Sequence, residues 1–530
     1  MSRRANGVVV VRGDLTPELA QVDERLFDLA TRYLGVGAYE DDGFVPTETA
    51  LDALTRDVDA ALASLRSCHV PAGLDAVAAH LHECGAWLRV TIDDDRDYPV
   101  NPLRAWIAAM QQRLFPIDAG DDADERSRFL LARLGGADAY LSALVDGAER
   151  APAAHLEHCH RRLAPFIADL ERGAAAVTDL PRGDELVTAL HAASAAVRRC
   201  SERLASLIES PREVVMGRRY EEVVRQKFGF DLDAIRGWCD DDLGAVRERL
   251  GTAIGGSGPA ALERMFATLL TPYPDASTLR ADAEIALRRA REIAAARVTL
   301  PPGERLVLDD VPDTDRDKLP FGAYSGGRVL RGDVRGRWLV NLANLRGLHR
   351  GWVWMMALHE GYPGHHVHYA KTAASDDLPL TFRLPGYGPA QGLIEGVAHR
   401  SEAYLETFDD QRSLWPMVHY RQLQTLLRIK TQLMISVEST PLQEAVAVYT
   451  SELGMDAATA GALVRSQTMN PGRTFSYYTG MRTLREAQGR MSADDAPFTE
   501  AIFSNGFVSL ATMQSLLDAR FGWRQEPVTR

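Results

Sequence analysis

From residue 15 to about residue 300, apolar positions return every three or four residues, the spacing that lines them up on one face of an α-helix. The clearest stripe runs Leu186, Leu190, Ala193, Val197, Cys200, Leu204 and Leu207, which makes Cys200 a core residue. The same period continues from Tyr220 to Leu250 and from Leu279 to Val298, where Pro301-Pro302 stops the last helix. Beyond that point the pattern changes. Glu304-Arg305-Leu306-Val307-Leu308 and Arg337-Trp338-Leu339-Val340-Asn341 read as short strands separated by the glycine-rich segment Gly322 to Gly336. Such strands form either a small structural hairpin or an edge on which an extended substrate could pair its backbone. The acidic runs Asp93-Asp94-Asp95 and Asp121-Asp122 read as solvated loops. Trp352 to Leu358 is apolar throughout and predicts a buried helix.

That helix carries candidate chemistry at its end. The stretch His359-Glu360-Gly361-Tyr362-Pro363-Gly364-His365-His366-Val367-His368 holds four of the chain's 14 histidines. A histidine followed by glutamate and, within two turns, by another histidine is how zinc hydrolases assemble a site. Neutral imidazoles hold the metal, and the glutamate takes a proton from the water it activates. In the common form the second histidine lies four residues on, about 6 Å along the same face; here that position is Pro363. On an unbroken helix His365 would point to the far side, and His366 would share the face but sit about 10 Å along the axis. Pro363 cannot donate to the carbonyl of His359, and Gly364 accepts unusual dihedrals. The helix is therefore expected to bulge by two residues and bring His365 into the second ligand position, with His366 the alternative. The plainer reading is a kinked core helix with satisfied histidines.

Two later stretches supply further candidates. In Gly392-Leu393-Ile394-Glu395-Gly396-Val397-Ala398-His399-Arg400-Ser401-Glu402, the residues Glu395, His399 and Glu402 share one helical face. A glutamate on a later helix is the third ligand in one class of zincins, and Glu395 is the choice here, with Glu402 the alternative. Met469 to Gly480 contains Arg473, Tyr477 and Tyr478. A phenol can donate to the oxyanion of a tetrahedral intermediate and an arginine can clamp a carboxylate; packing is the alternative for all three. The cluster His155, His158, Cys159 and His160 offers ligand types for a second metal, but only three of the four share a face and no partner cluster follows. A polar helix surface is the expected reading.

Composition narrows the partners. A net charge of −13 argues against nucleic-acid or anionic-membrane binding, which need basic surface, and leaves small or cationic substrates open. No segment approaches about 18 consecutive apolar residues, and Val8 to Val11 is too short for a signal-peptide core, so a cytoplasmic location is expected. The five cysteines are odd in number and widely spread, which argues against a disulfide framework. Nothing in the sequence names an oligomeric state.

Together the three motif stretches resemble the bacterial family known as domain of unknown function 885, a group read as zinc metallopeptidases. Its hallmark His-Glu-x-x-Pro-Gly-His-His matches His359 to His366 without a gap, and Glu395 to Glu402 match its Glu-Gly-Trp-Ala-Leu-Tyr-Ala-Glu at the Glu, Gly, Ala and final Glu. Pro471 to Gly480 look like its Pro-Gly-Gln-Ala-x-Ser-Tyr-x-x-Gly. This chain departs from the motifs at Val397 for Trp, His399 for Leu, Arg400 for Tyr and Arg473 for Gln. In motif order the family is similar to helical peptidases of the thimet oligopeptidase and carboxypeptidase Taq type. The resemblance implies a mainly α, large, bilobed zincin-like fold with a deep cleft and a small β element beside the metal. It also implies His359, His365 and Glu395 on zinc or another divalent ion, and Glu360 as base. We expect residues 1–200 to form an N-terminal helical region packed closely with a metallopeptidase-like region at 201–530. The expected activity is hydrolysis of a peptide or amide bond in a small peptide-like substrate. Tyr477 would stabilise the oxyanion, and Arg473, Tyr478 and His399 would bind substrate. The alternatives are amide or related C–N hydrolysis on a specialised metabolite, and a non-catalytic helical binding protein that retains the motif.

Overall fold

The computed structural model describes residues 9–36, 44–97, 100–115, 122–148, 151–208, 218–269, 273–312, 316, 319, 321–345, 347–469 and 472–522. Among these the chain is mainly helical, with one three-stranded sheet. It divides into two compact units: Met1–Asp23 with Cys68–Trp87 and Val215–Arg530, and Glu24–Ser67 with Leu88–Val214.

The second unit is helical. Its helix Gly183–Leu207 buries Leu186, Leu190, Ala193, Val197, Cys200 and Leu204, the stripe read from the periodicity. These residues share one core with Leu156, Cys159, Leu163, Phe166 and Leu170 of helix Ala153–Ala176. The expectation of a polar surface at His155 to His160 is therefore corrected. His155 and Cys159 point into the protein, and the His160 ring bonds the Ser201 hydroxyl at 2.9 Å. The acidic runs are corrected as well. Asp93 to Asp95 lie within helix Asp75–Asp97, where Asp95 accepts the Tyr33 hydroxyl at 2.7 Å. Asp122 caps helix Ala123–Gly135 by accepting the N–H groups of Asp124 and Glu125, the ordinary service of an aspartate at a helix start. Asp121 lies outside the described residues, as do Val8, Asn470 and Pro471.

The first unit holds the sheet and the histidine-rich stretch. Strands β1 (Arg305–Asp310), β2 (Gly322–Gly326) and β3 (Arg335–Val340) lie in the order β1-β3-β2. β1 pairs parallel with β3, Arg305 opposite Arg335, while β2 pairs antiparallel with it, Gly322 opposite Val340. The two strands expected from the sequence are thus neighbours but not a hairpin, and the glycine-rich segment between them supplies the third strand. β3 alternates, with Gly336, Trp338 and Val340 buried. Its Gly336 passes so close to helix His365–Ala373 that a Cβ there would lie 2.9 Å from the His366 ring and 2.7 Å from the Tyr324 hydroxyl.

A second close approach sets the geometry of the site. Helix Gln391–Ser401 crosses helix Ser476–Met491 at glycines: a Cβ on Gly396 would lie 2.6 Å from the Gly480 backbone, and one on Gly480 would overlap the Gly392 carbonyl oxygen. Without side chains between them the two backbones touch, which brings Glu395 on the first helix within reach of Arg473 and Tyr477 at the start of the second. These glycines account physically for the Gly positions of both motifs.

Candidate metal centre

Helix Arg350–Met356 is buried from Gly351 onward and opens with the His349 ring accepting the Trp352 N–H at 3.2 Å. It then widens into a π turn over Ala357–Gly361, closed by a hydrogen bond from the Tyr362 N–H to the Ala357 carbonyl at 3.0 Å. Pro363 has no N–H with which to continue, and Gly364, where a Cβ would overlap the His359 carbonyl, leads into a new helix that begins at His365. The expected two-residue bulge in a continuous helix is therefore replaced by a break between two helices. The consequence for the histidines is the one the bulge was meant to explain: the rings of His359 and His365 meet edge to face, with centroids 4.8 Å apart.

Between those rings lies the Glu395 carboxylate. Its Oε2 is 3.7 Å from Nε2 of His359 and 3.5 Å from Nε2 of His365, and it is buried with no hydrogen-bond partner among the described residues. A tetrahedral ion with bonds of about 2.0–2.1 Å separates its donors by about 3.3–3.4 Å. Two imidazole nitrogens and a carboxylate oxygen at these separations fit a zinc-sized ion after shifts of a few tenths of an ångström. Glu360 is half-buried and belongs to the same cluster, with one donor atom each from His359, Glu360 and His365 within 4.8 Å of one another. His366 faces elsewhere. Its Nε2 meets Glu304 Oε2 at 2.9 Å, and Glu304 also accepts the Tyr362 hydroxyl at 2.7 Å and the Arg291 guanidinium at 2.7 Å.

Glu402 stands behind the imidazoles. Its Oε1 accepts from Nδ1 of His359 at 2.7 Å and its Oε2 from Nδ1 of His399 at 2.8 Å, while Arg421 lies 3.6 Å away. With Nδ1 of His359 bonded to Glu402, its Nε2 is the nitrogen that faces Glu395. A carboxylate in this place fixes the tautomer and rotation of a metal-binding histidine. Burial alone would lower the pKa of His359, but the carboxylates of Glu395 and Glu402 outweigh it and raise the value to about 10. Glu395 and Glu402 move the other way: burial opposes ionisation, and the surrounding imidazoles and guanidinium groups overcome it, holding both well below the usual carboxylate range.

The remaining candidates fall on different sides of this centre. The Tyr477 ring stacks on His359 at 6.4 Å, and the Arg473 guanidinium, whose charge is felt by the Tyr477 phenol, has its Nη2 3.6 Å from Glu395 Oε1. Tyr478 is turned away and buried against Trp238, with its hydroxyl toward Asp242. His399 is also buried, and both ring nitrogens are taken by protein, Nδ1 by Glu402 and Nε2 by the Thr425 hydroxyl at 3.2 Å. The reading of Tyr478 and His399 as substrate-binding is revised on this ground: Tyr478 is buried against Trp238, away from His359, and both ring nitrogens of His399 are bonded to protein. Arg400, another departure from the family motif, points to Asp495 and Gln488. Three residues of the site went unread in the sequence. Arg421 and Arg428, seven residues apart on helix Pro416–Ser436, both lie over the Tyr477 ring, at 5.5 and 5.1 Å. Their spacing was a usable signal; Glu304, one charge ahead of an apolar strand, gave none.

The chain matches the family described as "Bacterial protein of unknown function (DUF885)" over residues 29–517. It belongs to this family. Among solved structures it is similar to a candidate lipoprotein from Colwellia psychrerythraea, with TM-score 0.78 and 16% identity over 98% of this chain and 100% of that one. It is also similar to a candidate lipoprotein of unknown function from Shewanella oneidensis, with TM-score 0.74 and 17% identity over 94% and 99% of the two chains. At these identities the likeness is one of fold. No curated protein matches the chain.

Proposed function

We propose that this member of the family is a metal-dependent hydrolase that cleaves a peptide or amide bond in a small substrate, with His359, His365 and Glu395 holding zinc or a related divalent ion. The observation that carries the reading is the buried Glu395 Oε2, without a hydrogen bond and set between two imidazole nitrogens at 3.5 and 3.7 Å. A buried carboxylate oxygen left this way is costly unless a cation completes it. Bound there, the ion would polarise a substrate carbonyl and acidify water. Glu360 would take the proton of the attacking water and return it to the leaving amine. The Tyr477 phenol, steadied by Arg473, would donate to the oxygen on which negative charge grows. Glu402, braced by His399 and Arg421, would keep His359 in the tautomer that presents Nε2. The break after Gly361, the sheet beside His365–Ala373 and the later glutamate helix support a zincin-like arrangement of the first unit.

The test is to supply purified protein with zinc, present a library of short peptides and follow products by mass spectrometry. Cleavage should fall about 10²–10⁴-fold in Glu360→Gln. Cleavage no faster with zinc than without, or equal in wild type and Glu360→Gln, contradicts the proposal. Cytoplasmic placement remains part of it on the scattered odd cysteines. The two structural neighbours described as lipoproteins point the other way, and cell fractionation decides.

A further inference from the structure

We propose that the site selects substrates with a free carboxylate within one or two residues of the bond to be cleaved, and that Arg473 reads it. The inference rests on the hydrolase reading above and names its substrate class.

The chain is acidic overall, at −13, yet three arginines gather around Tyr477. Arg421 and Arg428 lie over its ring, and the Arg473 charge acts on its phenol. Arg421 is matched by Glu402. Arg428 has no paired carboxylate among the described residues, and its Nε is buried without a hydrogen-bond partner. Arg473 touches Glu395 with one nitrogen, and its side chain is still 45% exposed. A guanidinium carries five donors in a planar fork, so an arginine that faces Glu395 with one nitrogen keeps its remaining donors for a ligand.

Distance fixes where that ligand's charge would sit. Arg473 Nη2 is 3.6 Å from Glu395 Oε1, on the carboxylate whose other oxygen lies between His359 and His365. Charge-assisted bonds to guanidinium span about 2.8 Å, and one extended residue spans about 3.3–3.6 Å. A carboxylate on Arg473 would therefore lie one or two residues from a carbonyl at the centre. Charge argues the same way: a divalent cation between His359, His365 and Glu395 would draw off the negative charge that Arg473 now faces. A substrate anion would restore it.

Binding separates this inference from the activity. The zinc-supplied Glu360→Gln protein is titrated calorimetrically with N-acetyl-alanyl-phenylalanine and with its C-terminal amide. The acid should bind about 10–100-fold more tightly. Adding Arg473→Gln should bring the ratio close to one, and Arg473→Lys should retain part of it. Equal affinities, no binding of either probe, or a preference that survives Arg473→Gln overturns the inference. Wild-type turnover of the same pair keeps the two claims apart. Arg473-dependent binding of the acid with no cleavage of either probe leaves the anion site standing and removes the hydrolase. Cleavage of both with equal affinity does the reverse.

Discussion

Glu402→Gln tests whether the structure assigns the right job to the carboxylate behind the imidazoles. In the wild type its two oxygens accept from Nδ1 of His359 at 2.7 Å and Nδ1 of His399 at 2.8 Å, with Arg421 at 3.6 Å. Glutamine keeps one acceptor and replaces the other with an NH₂ group, so it can satisfy His359 only if His399 changes tautomer. The ring of His359 then loses part of its restraint, and its Nε2 loses basicity. Removing such an orienting partner costs about 10–100-fold in metal affinity, or about 1.4–2.7 kcal/mol. We expect the glutamine variant near the lower figure. Glu402→Ala, which also leaves Arg421 without its carboxylate, belongs near the upper one. Competition for zinc against a chromophoric chelator at pH 7.5 measures both. Wild-type affinity in Glu402→Gln would refute the orienting role. Loss of all binding, even with zinc in excess, would make Glu402 itself the ligand and displace Glu395.

Three further outcomes follow from other parts of the structure. Because the carboxylates of Glu395, Glu402 and Glu360 raise the pKa of His359 to about 10 against the effect of burial, the metal-free site carries a proton there at neutral pH and must release it on binding; zinc affinity should climb about tenfold per pH unit from 6.5 to 8.5, and a flat or falling profile contradicts this. Gly480→Ala should cost about 1–3 kcal/mol in urea unfolding and weaken zinc binding with it, since the new methyl overlaps the Gly392 carbonyl and pushes the Glu395 helix away; unchanged stability would mean the two backbones are not in contact. His80 is buried against Phe382 and Tyr387, and burial lowers its pKa from 6.5 to about 3, so only the unfolded chain binds its proton between those values. Stability should be independent of this group above pH 6.5 and fall by about 1.4 kcal/mol per unit below it, a slope that His80→Leu should remove.

Helices were legible wherever one face was buried, as along Gly183–Leu207, because periodicity records burial directly. The same logic failed at His155 and Cys159, where ligand-type residues were read by chemistry although they occupy core positions on an amphipathic helix. β2 was hidden because Gly322 to Gly326 has no apolar alternation; it forms by pairing with β3, a non-local event that local pattern does not encode. At the site, Pro363-Gly364 announced an interruption, but not whether the helix would bulge or end. The π turn and the restart at His365 depend on packing against Glu304 and the sheet. Orientation was likewise out of reach: adjacent tyrosines at 477 and 478 differ only by about 100° of helix, and the helix pairing through Gly396 and Gly480 decides which one faces His359.

The central claim is that His359, His365 and Glu395 hold a divalent ion while His366 serves Glu304. Zinc content after equilibration with zinc and removal of the excess tests it most directly, in the wild type and in His365→Ala, His366→Ala and Glu395→Ala. The account predicts one zinc per chain in the wild type and in His366→Ala, and little or none in the other two. Retention by His365→Ala together with loss by His366→Ala would contradict it, as would a wild-type chain that binds no zinc at all.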